Sequence, residues 1–568
     1  MYTIQENVRI VISLLKEYNI KHIVISPGGT NIAISQAVQN DAFFHCYSVV
    51  DERSAMYFAI GLYLQLGVPI ATSCTSAQAT RNYIPGLTEA YYKRAPILAI
   101  TTSKLERFQY QDYMQAPDQT SLPKDAVKKS FDIPPITDNN TRVQCIHSVK
   151  EAILELTHHG TGPVQLNLRI DDALNGIFKV DSLPKISLLK RYNAWDSLED
   201  INLSNKKILL VIGEHRPFTK EEIISIEKFC DSYNVAIYVN HLSNYSGKYS
   251  INGNFIISCL SPEIIEKDLN PDIFITIGGQ TGDYALFSML STKIKNAEHW
   301  RISEDGNTID TYNKLTKIFQ CPETFFFNKI NLNQATTIHS YYNNWVKKKE
   351  LLNENIDIPF SNLYVAQQTH RLIPDNSIIN FAILNSLRCW SFFDLKNNIN
   401  CFSTVSAFGI DGCTSTLIGE SITTNELCFL VTGDLAFFYD MNSLSIRHIK
   451  NNVRILLINN NGGAEFKIMT KNWKENIDIK RYISAEGHNG TANGWAQSCG
   501  FEYLSASNIE QFNSNLKKFI AKNEKPIVYE VFTNPDNEEK AISIFISKNK
   551  QNSKKEKIKT TIKKLLRQ

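Results

Sequence analysis

The sequence predicts an α/β protein built on doubly wound parallel sheets. Three observations carry the prediction. Short apolar runs that close in polar or glycine turns alternate with segments of helical spacing along most of the chain. Residues 431–463 read as strand, turn, helix, strand, turn, which is one βαβ unit. The polar turns of that unit, Gly433-Asp434 and Asn459-Asn460-Asn461-Gly462-Gly463, fall at the carboxyl ends of its strands, where open α/β sheets bind ligands.

Residues 1–188 form a first domain. Residues 7–18 have helical spacing, 22–26 make a short strand, and Pro27-Gly28-Gly29 is the turn after it. Residues 43–50 are a second strand ending in Asp51-Glu52, 56–66 an apolar helix, and 69–75, 96–102 and 164–168 further strands. Residues 200–345 form a second domain with strands at 207–212, 235–239 and 273–277. Gly213-Glu214 and Gly278-Gly279 close two of them. No GxGxxG follows a strand, so these glycines read as turn residues rather than a dinucleotide site. Residues 331–354 read as a polar helical linker. Residues 360–545 form the third domain, whose central unit runs from the apolar strand 428–431 through a helix at 437–450 to a strand at 453–458. Residues 546–568 are a basic tail. From Lys548 onward it carries nine basic residues against one acid, Glu556, the composition of a solvated helix, a disordered end or a contact for an acidic surface.

A chain of 568 residues has room for about two to four domains with large cores. Its 43% hydrophobic and 21% charged residues are those of a soluble globular protein, and a net charge of +3 gives no field that argues for nucleic acid. The eleven cysteines form no CxxC pair or zinc spacing and read as reduced thiols of a cytoplasmic protein. The first residues, acidic and amphipathic, do not read as a signal peptide, and no apolar run approaches the roughly 20 residues that span a bilayer.

The chemistry concentrates at two places. Asp434 and Asn460 should sit side by side at the end of adjacent strands. A carboxylate, an amide oxygen and a backbone carbonyl are hard ligands that suit Mg²⁺ or Ca²⁺ held with phosphate oxygens. Glu52 follows a strand, where a carboxylate serves either as the first-turn acid of a helix or as a functional group.

The Gly-Asp pair, followed one helix and one strand later by Asn-Asn, resembles the motif of the thiamin-diphosphate-dependent enzymes. The wording GDLAFFYDMNSL and NNNGG resembles the branch of the menaquinone-pathway synthase that makes succinyl-enolpyruvyl-hydroxycyclohexene carboxylate. The resemblance implies three doubly wound domains: pyrimidine-binding, central and diphosphate-binding. It implies thiamin diphosphate and Mg²⁺ (or Mn²⁺ or Ca²⁺) as cofactors, with the metal on Asp434, Asn460 and the carbonyl of Gly462. Asp51-Glu52-Arg53-Ser54-Ala55 matches the family's glutamate pattern in full, and Glu52 would activate the aminopyrimidine of the cofactor. Ser76 and Gln78 of Thr75-Ser76-Ala77-Gln78, Ser386 of Asn385-Ser386-Leu387, Gly433 and Gly463 would line the cofactor. So would Gly409 and Ile410 of Gly409-Ile410-Asp411-Gly412, with Ile410 as an apolar wedge. Taken alone, Ile410 suits a core position equally, and the glycines suit turns. In this family the glutamate and the metal site meet across a subunit boundary, which implies a homodimer or homotetramer.

The substrate residues of that branch are not kept. Its cationic positions fall here at Gly29-Thr30, Lys104, Asp283-Tyr284, Trp390 and Val405, with Arg388 near Trp390. Asp118-Gln119 resembles a further site pair, and Glu465 replaces an apolar residue after the Asn triplet. Losing several Arg–carboxylate contacts should abolish recognition of two acidic substrates, at about 2–5 kcal/mol each. The expectation is a carboligase that decarboxylates a 2-oxoacid and passes the acyl unit to a less acidic acceptor. The alternatives are the synthase itself, a simple decarboxylase, and a non-catalytic cofactor-binding homologue.

Overall fold

The computed structural model describes residues 1–330, 339–471, 473, 475 and 477–551. The chain divides into two compact units, Met1–Tyr192 with Gly306–Ile318, and Asn193–Asp305 with Phe319–Gln568.

In the first unit, strands β1 (His22–Ile25), β2 (His45–Ser48), β3 (Ile70–Cys74), β4 (Ile97–Ser103), β5 (Ser130–Ile133) and β6 (Val164–Arg169) form one sheet in the order β2-β1-β3-β4-β6-β5. Every pairing is parallel. Alternate residues feed opposite faces. Ile23, Leu98, Ile100 and Leu166 pack with the helix Glu6–Glu17, and Val24, Ile97 and Ala99 pack with Ala55, Met56 and Ala59 of the helix Glu52–Leu66. Strand β2 is shorter than the expected 43–50. Asp41 accepts from the Phe43 amide through its side chain and from the Phe44 amide through its carbonyl, so the chain is still turning there.

In the second unit, β7 (Lys207–Ile212), β8 (Asn234–Val239), β9 (Ser250–Asn252), β10 (Ile273–Ile277) and β11 (Glu298–Ile302) run parallel in the order β9-β8-β7-β10-β11. Gly213 and Gly279 close β7 and β10 so tightly that a Cβ on Gly213 would lie 1.9 Å from the Gly279 carbonyl oxygen. That contact accounts for Gly213 without a ligand. The same unit holds β12 (Ile378–Phe381), β13 (Asn400–Ser403), β14 (Cys428–Gly433), β15 (Val453–Asn459), β16 (Glu502–Ala506) and β17 (Ile527–Phe532), ordered β13-β12-β14-β15-β17-β16 and all parallel. Phe429, Val431, Leu456 and Ile458 enter one core cluster, and Leu430, Ile455 and Leu457 enter the other. The two six-stranded sheets therefore share one topology. Each has its switch point between its first and third strands in chain order, the place where such sheets take ligands.

Two expectations change, and the helical reading of the linker holds over part of its length. The helix at 437–450 is instead a short α-helix, Asp434–Tyr439, and a 3₁₀ turn, Met441–Ser445. Asp440 turns its carboxylate to the amide and hydroxyl of Ser415, and the hydroxyls of Ser443 and Ser445 donate to the carbonyls of Asp440 and Asn442. Short polar side chains of this kind compete with the helical ladder. The linker at 331–354 contains a packed helix, Ser340–Glu350, whose Tyr341 and Trp345 are buried, with the Tyr341 hydroxyl donating to the Leu269 carbonyl. Residues 331–338 lie outside the described residues. The last helix, Pro535–Asn549, runs past residue 545, and Gln551 pairs through its backbone with Cys259 and Ser261. The basic tail from residue 552 lies outside the described residues.

Candidate functional site

The corner between β14 and β15 is built by burial. Strand β14 is wholly apolar up to Thr432, and Asp434, 2% exposed, opens the helix that follows. Its Oδ1 accepts from the Leu435 amide at 2.7 Å and its Oδ2 from the Gly462 amide at 3.0 Å, while His488 Nε2 lies 3.1 Å from Oδ2. Desolvation holds the Asp434 carboxyl above its ordinary pKa, against the pull of those donors. Asn460 is also buried, and its Oδ1 has no hydrogen-bond partner. The Asn460 amide group faces Glu538, whose buried carboxyl is pushed up to about 7 by desolvation and accepts from the Asn362 amide at 3.0 and 3.1 Å. Gly462 adopts φ +141°, and a Cβ there would lie 2.8 Å from Glu486 Cα and from the Ser484 carbonyl oxygen. Gly433 has extended backbone and open space where its Cβ would be. The neighbouring Asn459 donates to the buried Glu530, which also accepts from Thr491, Ala492 and Tyr503.

These groups fit a hard divalent cation. A desolvated carboxylate gains from a cation, an unpartnered amide oxygen needs one or a donor, and a glycine turn lets a ligand approach the backbone. Among the described residues no three His, Cys, Asp or Glu side chains cluster as metal ligands, so a metal here depends on amide and carbonyl oxygens beside Asp434.

Next to this corner the helix Asn385–Trp390 packs on β14. Ser386 is buried at its start. Arg388 Nη1 donates to Asn385 Oδ1 at 2.8 Å, and its two Nη atoms fork onto the carboxylate of Glu465, with Nη2 2.9 Å from Oε1. Burial works against the Arg388 charge, but Glu465 outweighs it and raises the pKa. A Cβ on Gly282, which has φ +64°, would lie 2.9 Å from Val405 Cγ1 and 3.0 Å from Leu387 Cδ2, so the turn carrying Asp283 and Tyr284 packs against the same wall. Asp283 is buried. It accepts from the amides of Ala285 and Leu286 and from the Tyr238 hydroxyl. Tyr284 is half-exposed and meets Phe408 edge-on, ring centroids 6.1 Å apart. Ile410 is partly buried against both core clusters of the sheet, and the Gly409 carbonyl accepts from Thr404. Trp390, 1% exposed, stays in the core, its carbonyl 2.9 Å from His241 Nε2.

In the first unit the switch point gathers the loops after β1 and β3. A Cβ on Gly28 would lie 2.2 Å from Thr75 Cβ. The Thr30 hydroxyl bonds those of Thr75 (2.9 Å) and Thr102 (2.7 Å) and accepts from the Ser76 amide (3.1 Å). Ala77 has φ +66°, and its amide donates to Gln119 Oε1 at 2.9 Å. The Gln119 amide group donates to the Thr102 carbonyl and Asn167. Thr30 and Gln119 are thus buried supports of the loop. Ser76 is buried with an unpartnered hydroxyl, and Gln78 is exposed. Gly29 is held through its carbonyl by Asn175, and Lys104 pairs with Asp172. Asp51 caps the helix Glu52–Leu66 through the Arg53 and Ser54 amides. Glu52 stands at its first position, with Asn82 Nδ2 3.2 Å from its Oε2. Around it Val50, Tyr57 and Phe58 are exposed.

His488, Glu530 and Glu538 were not singled out from the sequence. Glu530 had a readable signal, a carboxylate inside the apolar run Ile527–Phe532. His488 lies in a glycine-rich loop and Glu538 on a polar helix start, where nothing marks them.

Residues 6–122 match the family model described as thiamine pyrophosphate enzyme, N-terminal TPP binding domain. The 2-succinyl-5-enolpyruvyl-6-hydroxy-3-cyclohexene-1-carboxylate synthase of Bacteroides fragilis is 31% identical over 94% of this chain and 97% of its own length. That of Bacteroides thetaiotaomicron is 30% identical over 97% of this chain and its whole length, and that of Flavobacterium johnsoniae 28% identical over 92% and 95%. Among the described residues no helix is long and apolar enough to cross a membrane. With identity of this level along nearly the whole chain, and the parallel-sheet fold that the family requires, the chain belongs to the thiamin-diphosphate-dependent enzymes, in the branch of the 2-succinyl-5-enolpyruvyl-6-hydroxy-3-cyclohexene-1-carboxylate synthases.

Proposed function

We propose that the protein is a thiamin-diphosphate- and Mg²⁺-dependent carboligase that decarboxylates a 2-oxoacid and transfers the acyl unit to an acceptor less acidic than that of its synthase relatives. The observation that carries the cofactor reading is the corner where Asp434 meets the Gly462 turn beside the unpartnered Oδ1 of Asn460. Asp434, Asn460 and the Gly462 carbonyl would hold the metal, and Gly433 would leave room for the diphosphate. Bound there, thiamin diphosphate supplies the electron sink for decarboxylation. The residues of the chain do the rest. Glu52 holds a proton position at the aminopyrimidine, Ile410 and Ser386 shape the pocket, and His488 and Glu538 orient Asp434 and Asn460.

A homodimer or homotetramer is part of this reading. Val50, Tyr57, Phe58 and Leu64 are exposed apolar side chains around Glu52 and along its helix, a patch suited to a second copy of the chain. The second reading is the synthase activity itself, favoured by identity along nearly the full chain.

The test is CO₂ release by the protein with thiamin diphosphate and Mg²⁺, offered pyruvate, 2-oxoglutarate and other 2-oxoacids, each with and without isochorismate. Release from another 2-oxoacid, independent of isochorismate, is expected. Turnover of 2-oxoglutarate that requires isochorismate would establish the synthase reading instead.

A further inference from the structure

We propose that Glu465 is a specificity-determining residue: it occupies the Arg388 guanidinium internally, so that the substrate group seated against this wall carries no carboxylate. The inference rests on the cofactor reading and deepens it.

Arg388 stands two residues after Ser386, on the helix that packs on β14, and Glu465 stands two residues after Gly463, so the pair joins the two segments that flank the corner. An arginine in such a place is a receptor for a carboxylate, because its planar fork matches two carboxylate oxygens. Here both Nη atoms already meet Glu465 oxygens, and Nη1 also meets Asn385. The protein thereby supplies its own carboxylate at the position where a substrate would bring one. Asp283 adds a second carboxylate on the adjoining turn. Its carboxylate is held by two backbone amides and the Tyr238 hydroxyl, which are neutral donors, so it adds negative charge to that turn. What remains facing outward is the half-exposed Tyr284 ring set against Phe408. A wall whose arginine is already occupied, with a further carboxylate beside it and an aromatic surface, favours an uncharged carbonyl compound with an apolar body. A second carboxylate there would have to displace Glu465 from a two-pronged contact or lie unpaired beside it, and either is unfavourable.

The experiment uses the full chain loaded with thiamin diphosphate and Mg²⁺, as wild type, Glu465→Gln, Glu465→Ala and Glu465→Ala with Arg388→Gln. Cofactor retention is read first, by quenching of tryptophan fluorescence. Glutarate, a dicarboxylate without a 2-oxo group, is then titrated calorimetrically. Both single variants are expected to bind glutarate about tenfold tighter than wild type or better, the worth of a charge-assisted contact, and the double variant to lose the gain. Equal glutarate affinity in wild type and single variants overturns the proposal, as does a gain that survives in the double variant. Failure of every protein, wild type included, to retain thiamin diphosphate overturns the cofactor reading itself, and it is seen before glutarate is added.

Discussion

Gly433 and Gly462 flank one corner, yet an added methyl group meets opposite surroundings at the two positions. At Gly433 the backbone has φ −86°, which any residue adopts, and a Cβ would find nothing within 4 Å. Gly433→Ala is therefore expected to leave the stability of the cofactor-free protein within about 0.5 kcal/mol of wild type. The open space is where the diphosphate is proposed to lie. A methyl group filling it should cost about 1–3 kcal/mol of binding, which is roughly five- to 150-fold in affinity. At Gly462 the Cβ would sit 2.8 Å from Glu486 Cα and from the Ser484 carbonyl oxygen, with φ at +141°. Those are backbone atoms, which cannot swing aside as a side chain could. Strain of about 1–3 kcal/mol and overpacking of about the same size should destabilise Gly462→Ala by about 2–6 kcal/mol even without cofactor. Urea unfolding of the cofactor-free proteins, followed by fluorescence titration with thiamin diphosphate in Mg²⁺, separates the two effects. Wild-type cofactor affinity in Gly433→Ala would refute the placement of the diphosphate. Wild-type stability in Gly462→Ala would refute the steric argument.

Four further outcomes are expected. Glu52→Gln should slow proton–deuterium exchange at the cofactor thiazolium C2 by about 10²-fold or more while leaving cofactor affinity within a few-fold; unchanged exchange counts against the role of Glu52. Glu420, partly buried with one oxygen on Asn380, has its carboxyl raised from 4.5 to about 7 by desolvation. A raised acid binds more protons folded than unfolded, so its contribution is most favourable below pH 4.5 and is lost as pH rises towards 7. Glu420→Gln should therefore gain about 2–3 kcal/mol over wild type at pH 8 and little at pH 4.5, and a gain independent of pH in urea melts would contradict this. Arg454 is fully buried with its guanidinium on the carbonyls of Phe519, Ala521, Asn451 and Val453. Arg454→Leu leaves those acceptors unpaired and should cost about 3–5 kcal/mol in the same melts; a loss below 1 kcal/mol would be inconsistent with that network. Tyr57→Glu with Phe58→Glu should give monomers in sedimentation velocity, and an oligomer unchanged at micromolar concentration would remove the helix Glu52–Leu66 from the interface.

The regular part of the fold was legible because period and turn agreed. Strands 207–212 and 273–277 were bounded in the sequence as the structure bounds them, since each is a continuous apolar run closed by Gly213 or Gly278. The helix at 437–450 was misread because apolar spacing continues through Met441 and Leu444 while Asp440, Ser443 and Ser445 redirect the backbone polar groups. That redirection depends on Ser415, which lies on another helix, and local pattern does not report it. At the candidate site the donors Asp434, Asn460 and Gly462 were visible as residue types on adjacent strand ends. The partners that position them, His488 and Glu538, come from loops and helices distant in sequence. The pairing of Arg388 with Glu465 was also invisible. Glu465 could be marked as a departure from a pattern and Arg388 as a cation near another, but only folding reveals that the two pair.

The most direct test of the account is the thiamin diphosphate affinity of wild type and Asp434→Ala, each measured with Mg²⁺ and with the metal chelated. Tight, Mg²⁺-dependent binding by wild type, and weak binding by Asp434→Ala that no longer responds to Mg²⁺, is the predicted result. Equal, metal-independent affinity in the two proteins would contradict the assignment of the Asp434 corner as the seat of the cofactor.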